Sequence, residues 1–353
     1  MHDALIIGQG LAGSVLAWTL MERGWDLACV DDGQVSSSSR VAAGLINPVT
    51  GRRLAKTPDV DWLLPAAEGF YDAVSRQLGS GPLLHPTPML RLFRSPLEVE
   101  AWDRRCEDPA YGPYLGPRLP TGAAGPGVVD PLGSGPQRRT AYLDAPGLLD
   151  HVGRALAGQG RLTRLDVQPS DIRPRDGCVE CGGLLAARAI LCQGHRAMDS
   201  PWFGWLPFQP AKGEILTLET DAPLPQAVLN AGRWLLPLVA GRFRFGATYD
   251  WTTRDQEPST GGRETLLKDL PEIIRLPDAR LVAHRAGVRP AALDNAPIVG
   301  PHPEHPNLWI FNGFGSKGAL QIPGYAASLA DHLEGGGALP KRVDVRRYAD
   351  QAR

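Results

Sequence analysis

Leu5-Ile6-Ile7-Gly8-Gln9-Gly10-Leu11-Ala12-Gly13-Ser14-Val15-Leu16-Ala17 is the stretch whose reading decides the fold. Its apolar start is short enough for a buried strand, and Leu11, Val15, Leu16 and Leu20 then recur at helical spacing. Gly8 permits a tight turn, Gly10 lets backbone approach a pyrophosphate, and Gly13 lets helix and strand pack closely. The first helical residues, Leu11 and Ala12, would offer free N–H groups and the positive dipole end to phosphates. Glycines at this spacing also mark ordinary turns, so the second half of the unit matters. Trp25 to Val30 reads as a second strand, and it ends in Asp31-Asp32. A carboxylate at that place accepts from a ribose 2′-hydroxyl. The opening is therefore read as a dinucleotide-binding strand–helix–strand unit.

A chain of 353 residues can bury a large core and divide into two domains. Its formal charge of -1 gives no global electrostatic case for binding nucleic acid. The 41 glycines and 33 prolines indicate many turns rather than disorder, because apolar periodic segments run the whole length. No apolar stretch is long enough for a membrane span, and the opening strand leaves no room for a signal peptide. Five cysteines without framework spacing suit a reducing compartment, so a cytoplasmic location is expected. Cys178 and Cys181 have the form of a metal or redox pair but lack a second pair. The histidines, His302 and His305 included, show no metal-ligand spacing, and no metal is expected.

Working outward, Gly33 to Gly44 is small-residue sequence that reads as a loop, either a linker or backbone laid against a flat ring. Leu45 to Pro48 and Thr50-Gly51-Arg52-Arg53 follow it. Residues 59–78 carry a helical apolar stripe closed by Gly79-Ser80-Gly81-Pro82. Met89 to Phe93 reads as a strand, with a helix expected from Pro96. Residues 109–136 are rich in glycine and proline and aperiodic, which fits a lid or a disordered excursion. A helix is expected after Asp144, then strands at 161–167, 178–181 and 186–192, the last closed by Gln193-Gly194. From Pro207 the texture turns to β, with strands at 212–218, 234–239 and 242–248, a helix near 262–274 and a strand from Arg280. A meander of this kind makes an antiparallel sheet with two unlike faces. In Gly241-Arg242-Phe243-Arg244-Phe245-Gly246 the phenylalanines share one face and the arginines the other.

The closing block runs Gly287-Val288-Arg289-Pro290, Asp294-Asn295-Ala296-Pro297, Ile298-Val299-Gly300, then Gly313-Phe314-Gly315-Ser316-Lys317-Gly318. Together with the opening glycines, Asp31 and the Ala42-Ala43-Gly44 segment, it resembles the FAD-dependent D-amino-acid oxidase, glycine oxidase and sarcosine oxidase superfamily. The resemblance covers essentially the whole chain. It implies an α/β fold in which a Rossmann-like FAD-binding domain (1–85, 141–205 and 285–353) receives an inserted, mainly antiparallel β substrate domain (86–140 and 206–284). It places Ala42, Ala43 and Gly44 beside the isoalloxazine, Val167 near the adenine and Gly194 beside the cofactor. Gly313, Gly315, Ser316, Lys317 and Gly318 become the turn that aims a helix N-terminus at the flavin pyrimidine.

The resemblance also implies the chemistry, oxidation of a small primary or secondary amine to an imine that hydrolyses. Arg289 takes the place of the substrate-carboxylate arginine, and a guanidinium does match a carboxylate as a fork. A structural ion pair with Asp294 is its other reading. Arg52 falls near a second carboxylate-binding position or is a solvated arginine. Tyr249 ends a strand of the roof, where it either donates to substrate or is a half-buried sheet residue. Arg244 lies two positions before Gly246, where sarcosine-oxidase-like members keep a lysine that promotes reaction with oxygen. Its other reading is a solvated sheet arginine. Ala291, Ala292 and Leu293 stand where such members attach flavin through cysteine, so the FAD is expected to be noncovalent. Two alternatives share the fold, a tRNA wobble-uridine-modifying FAD oxidoreductase and a non-catalytic flavin-binding interaction protein. The particular amine, the electron acceptor (oxygen or another) and the oligomeric state are left open by the sequence.

Overall fold

A computed structural model describes residues 1–33 and 37–351 of the chain. The first sheet has six strands. In spatial order they are Leu162–Arg164, Leu27–Asp31, Ala4–Ile7, Ala189–Leu191, Leu308–Asn312 and Ile298–Pro301. The first five pair in parallel and the last is antiparallel. Register sets Ile7 opposite both Val30 and Leu191, so Gly8, Asp31 and Cys192 emerge together at the carboxyl ends of adjacent strands. Ligands of open α/β sheets bind at that edge, where strand order reverses. The strand residues Ala4, Leu5, Ile6 and Ile7 are buried on both faces, as a parallel sheet covered on either side requires. The Leu11–Glu22, Val60–Leu78 and Gly318–Leu333 helices share one core on one face of this sheet.

The second sheet has seven strands, ordered Arg280–Arg289, Ala211–Glu219, Arg242–Gly246, Trp234–Pro237, Val228–Asn230, Met89–Leu92 and Ser134–Gln137. All its pairings are antiparallel except that of Val228–Asn230 with Met89–Leu92. Phe243 and Phe245 are fully buried against Leu266 and Leu270 of the following helical segment, as the alternation requires. The opposite face of the sheet roofs the cavity described below. The edge strand runs unbroken from Arg280 to Arg289, across the domain boundary expected at 284/285. That continuity matters, because it carries Arg289 from the roof into the site.

Two local expectations are corrected. Within the expected Gly33–Gly44 loop, Ser38–Val41 forms a helical turn, while Gln34, Val35 and Ser36 lie outside the described residues. The turn arises because the N–H groups of Val41 and Ala42 reach back to the carbonyls of Ser37 and Ser38. The 109–136 excursion is neither a lid on the cavity nor disordered. It packs Tyr111, Tyr114 and Leu115 into the core, Asp130 accepts from the backbone of Gly122 and Ala124, and its end joins the second sheet as Ser134–Gln137. A buried carboxylate holding several backbone N–H groups is a rigid turn device, invisible to periodicity. No described helix is long and apolar enough to cross a membrane.

Candidate active site

One elongated cavity runs between the two sheets, from the carboxyl end of the Leu27–Asp31 strand to the end of the Arg280–Arg289 strand. Gly8, Gly10, Leu11 and Ala12 line it at one end with Asp31, Asp32 and Val167. Gly13 lies behind them and packs helix to strand. A Cβ there would stand 1.8 Å from the Gly8 carbonyl oxygen. Gly8 has φ +101 and abuts the Cys192 carbonyl, so both its backbone and its neighbours demand glycine. Gly10 differs. A Cβ there would meet only Ser39 Oγ at 3.2 Å, so the space over it is open toward the cavity.

The Leu11–Glu22 helix starts at Gly10 without a side-chain cap, and the Leu11 N–H donates to Ser39 Oγ at 3.0 Å. A hydroxyl thus occupies the direction in which a phosphate oxygen would bind at a helix N-terminus. Asp31 accepts from the Gln9 N–H at 2.7 Å, the Gly33 N–H at 2.7 Å and Arg164 at 2.9 Å. A carboxylate offers about four acceptor sites, so this one is oriented by the protein and can still receive a hydroxyl. Arg196 bridges Asp32 and Asp166 at 2.9 and 2.8 Å, bracing the rim at that end.

Further along, Ala42, Ala43, Gly44 and Leu45 form one wall. Gly44 has φ +70, and any Cβ there would collide with the Leu143 carbonyl at 2.1 Å. The opposite wall carries Gly194, Gly315, Ser316 and Gly318, with the uncapped N-terminus of the Gly318–Leu333 helix directed at the space between. Free N–H groups there would stabilise negative charge accumulating on a ring. Two residues of the expected turn play other parts. Gly313 packs on Ile298, and Lys317 turns its ammonium to Thr57 Oγ1 at 3.1 Å, outside the cavity lining.

The roof contributes Ile215, Trp234, Ala247, Tyr249 and Gln256, and Arg289 closes the far end. Arg289 folds back over the backbone of Gly213. A Cβ on that glycine would lie 2.1 Å from its terminal nitrogen. Its guanidinium donates to the Thr248 carbonyl at 3.3 Å and lies 4.1 Å from the centre of the Tyr249 ring. Burial lowers its pKa, the neighbouring Tyr249 opposes that shift, and the positive charge of Arg233 adds to it. Among the described residues Arg289 forms no ion pair, and Asp294, its alternative partner in the sequence, pairs with Arg347 at 3.0 Å. A cavity-facing cation held by carbonyls and an aromatic face still has donors to give to an anion. Gly213→Ala should therefore leave the fold intact but push the guanidinium out of register. Acetate titrated against the flavin absorbance should bind the variant at least several-fold more weakly, in line with the ~1–3 kcal/mol of overpacking.

Two of the proposed substrate-side residues lie off the cavity surface. Arg52 is exposed at the tip of the hairpin made by Val49–Thr50 and Ala55–Lys56, in a surface dent shared with Arg94 and Arg233. Arg244 sits on the roof face opposite the phenylalanines and reaches the Ala42 carbonyl at 3.4 Å without lining the cavity. Burial and the neighbouring Arg285 lower its pKa. Sequence reasoning missed Ser39, Arg164, Gly213 and Gln256. Ser39 stood in a visible serine run, and Arg164 meets Asp31 through parallel register between distant strands. Neither Gly213 nor Gln256 carried any signal.

The cradle therefore fits FAD. An oriented carboxylate, an open glycine and two helix N-termini lie along one channel. Comparison with known proteins agrees. Residues 3–332 match the family model described as FAD dependent oxidoreductase. A glycine oxidase from Pseudomonas putida is 27% identical over 99% of this chain and 99% of its own length. A tRNA 5-methylaminomethyl-2-thiouridine biosynthesis bifunctional protein MnmC from Hahella chejuensis is 26% identical over 99% of this chain but 60% of its own length. Among solved structures, iminodiacetate oxidase from Chelativorans sp. BNC1 superposes with a TM-score of 0.81 at 25% identity, covering 98% of each chain. The chain belongs to the FAD-dependent oxidoreductase family, as an FAD enzyme of the glycine oxidase and amino-acid oxidase type.

Proposed function

We propose that this enzyme oxidises a small amino acid, or an N-substituted relative, at the carbon bearing both amine and carboxylate. The observation that carries the reading is Arg289, cavity-facing at the end of the channel and paired with no carboxylate among the described residues. Bound noncovalently, FAD would supply the two-electron acceptor for oxidation of the amine to an imine, which water then hydrolyses. The protein's part is chiefly orientation. Arg289 clamps the carboxylate, Tyr249 stacks on that guanidinium and offers a hydroxyl, and Ile215, Trp234 and Ala247 shape an apolar roof over the Cα. Exclusion of bulk water by that roof protects the imine until release.

The relatives named for tRNA modification raise the other reading. It draws no support from three arginines of the cavity lining, which are spent on neighbouring carboxylates. Arg40 pairs with Asp150, Arg164 with Asp31 and Arg196 with Asp32 and Asp166. The test is steady-state turnover with glycine, sarcosine and iminodiacetate against methylamine, trapping the carbonyl product as its hydrazone, beside tRNA filter binding at physiological salt. Turnover of the carboxylate-bearing amines alone, with no tRNA retained, is expected. Salt-sensitive tRNA retention with no amine turned over would overturn the reading.

Arg244 has a part in the oxidative half-reaction under this reading. A fixed cation one carbonyl from the cavity wall favours the anionic charge that develops when oxygen accepts electrons. Stopped-flow measurement of Arg244→Met should show reoxidation by oxygen slowed at least tenfold, with reduction by substrate little changed. Equal reoxidation rates in variant and parent would remove Arg244 from the reaction.

A further inference from the structure

The loop over the cavity mouth, residues 250–259, is pinned rather than free. Its start pairs with Lys212 through both backbone bonds, at 2.8 and 3.0 Å. Lys212, 3% exposed, sends its ammonium to Asp255 at 2.7 Å. Glu214, 4% exposed, accepts from the Ser259 N–H at 2.9 Å and its hydroxyl at 2.7 Å. Asp250 gathers Thr252 and Thr253 into a tight turn between these anchors. Two charges drawn from the roof strand Ala211–Glu219 thus fix the segment on both sides of Gln256.

Gln256 lines the same cavity as Tyr249 and Arg289. Its side-chain Oε1 is buried and accepts no hydrogen bond from any described residue. Buried side-chain acceptors nearly always find a donor, and one left open in a rigid wall of a binding cavity marks where a ligand donor goes. Arg289 supplies donors only, so it recognises the carboxylate and can offer nothing to an amine. A small amino acid carries its N–H groups one carbon away from that carboxylate. The complementary group required of the cavity is an acceptor, and a neutral amide offers one without adding a negative charge to a cavity that takes an anion.

We propose that Gln256 Oε1 accepts the substrate's amino N–H, making Gln256 a positioning and specificity residue for α-amino carboxylates. The inference rests on the carboxylate clamp at Arg289. Holding the N–H fixes rotation about the Cα–N bond, so the amine is oriented as well as bound. Carboxylates without an amino group lose nothing by its removal.

The test is Gln256→Met in the holoenzyme, a near-isosteric change that removes the acceptor. Anaerobic rapid mixing separates the Kd of the best amino acid from its limiting flavin-reduction rate, and acetate binding is read from the flavin absorbance. The amino-acid Kd should rise about 10- to 100-fold, as for the loss of a hydrogen bond to a charged donor. Acetate should bind as in the parent, and Tm should not fall, because the substitution removes an unpaired polar atom rather than a bond. Equal weakening of acetate and amino acid, an unchanged amino-acid Kd, or a lowered Tm would each overturn the assignment. Failure of acetate to bind the parent itself would overturn the Arg289 clamp, and Gln256 with it.

Discussion

Arg289→Ala is expected to yield a folded, yellow protein that has lost about 2–5 kcal/mol of carboxylate recognition, the range for breaking a buried, hydrogen-bonded charge pair across an interface. The fold should survive, because among the described residues Arg289 holds the Thr248 and Ala211 carbonyls and the face of Tyr249 and lies over a glycine, so removing it empties space at the cavity end. Flavin should survive too, since the glycines and Asp31 that would hold the dinucleotide lie at the other end of the channel. Arg289→Lys should recover only part of the loss, because an ammonium has no fork to match the two carboxylate oxygens. The measurement is kcat/KM for the best amino acid together with the acetate Kd. Unchanged values in the alanine variant would take Arg289 out of substrate binding.

Gly10→Val should have the second large effect, essentially complete loss of bound FAD from a protein that still folds. Gly10 has φ -71, a value valine adopts without strain, and its Cβ direction is open but for Ser39 Oγ. The added methyls therefore enter the room a pyrophosphate needs, beside the first N–H groups of the Leu11–Glu22 helix. Purified variant should be colourless with a native circular dichroism spectrum, whereas acid precipitation of the parent should release its yellow colour into the supernatant. Stoichiometric flavin in the variant would contradict the placement of the dinucleotide. Colour retained in the parent's washed pellet would contradict noncovalent binding.

How much of this was legible in sequence follows from which interactions are local. The Gly8–Gly13 turn, the strand ending in Asp31 and the phenylalanine alternation at 243–245 are encoded by neighbours along the chain, and the structure agrees at each. Arg52 illustrates the limit. Spacing put it near the flavin-side loop, but the hairpin closing between Val49–Thr50 and Ala55–Lys56 turns it to solvent. Lys317 likewise lies in the right turn with its ammonium pointing to Thr57. The site's supporting cast, Arg164 on Asp31, Gly213 under Arg289 and Gln256 over the cavity, depends on register between strands and on a pinned loop. Such pairings carry no periodic signature. The order of the 109–136 segment was hidden for the same reason, since a buried aspartate and three core residues hold it rather than any repeating stripe.

Under the proposed function, a small amine bearing a carboxylate passes its electrons directly to FAD in this cavity. Anaerobic mixing of the purified holoenzyme with such amines, followed by flavin absorbance, tests it most directly. Bleaching is expected from at least one small amino acid or N-substituted amino acid, saturating with concentration, competitively slowed by acetate and absent with methylamine. Bleaching that is indifferent to the carboxylate, or no bleaching by any member of the panel, would contradict it.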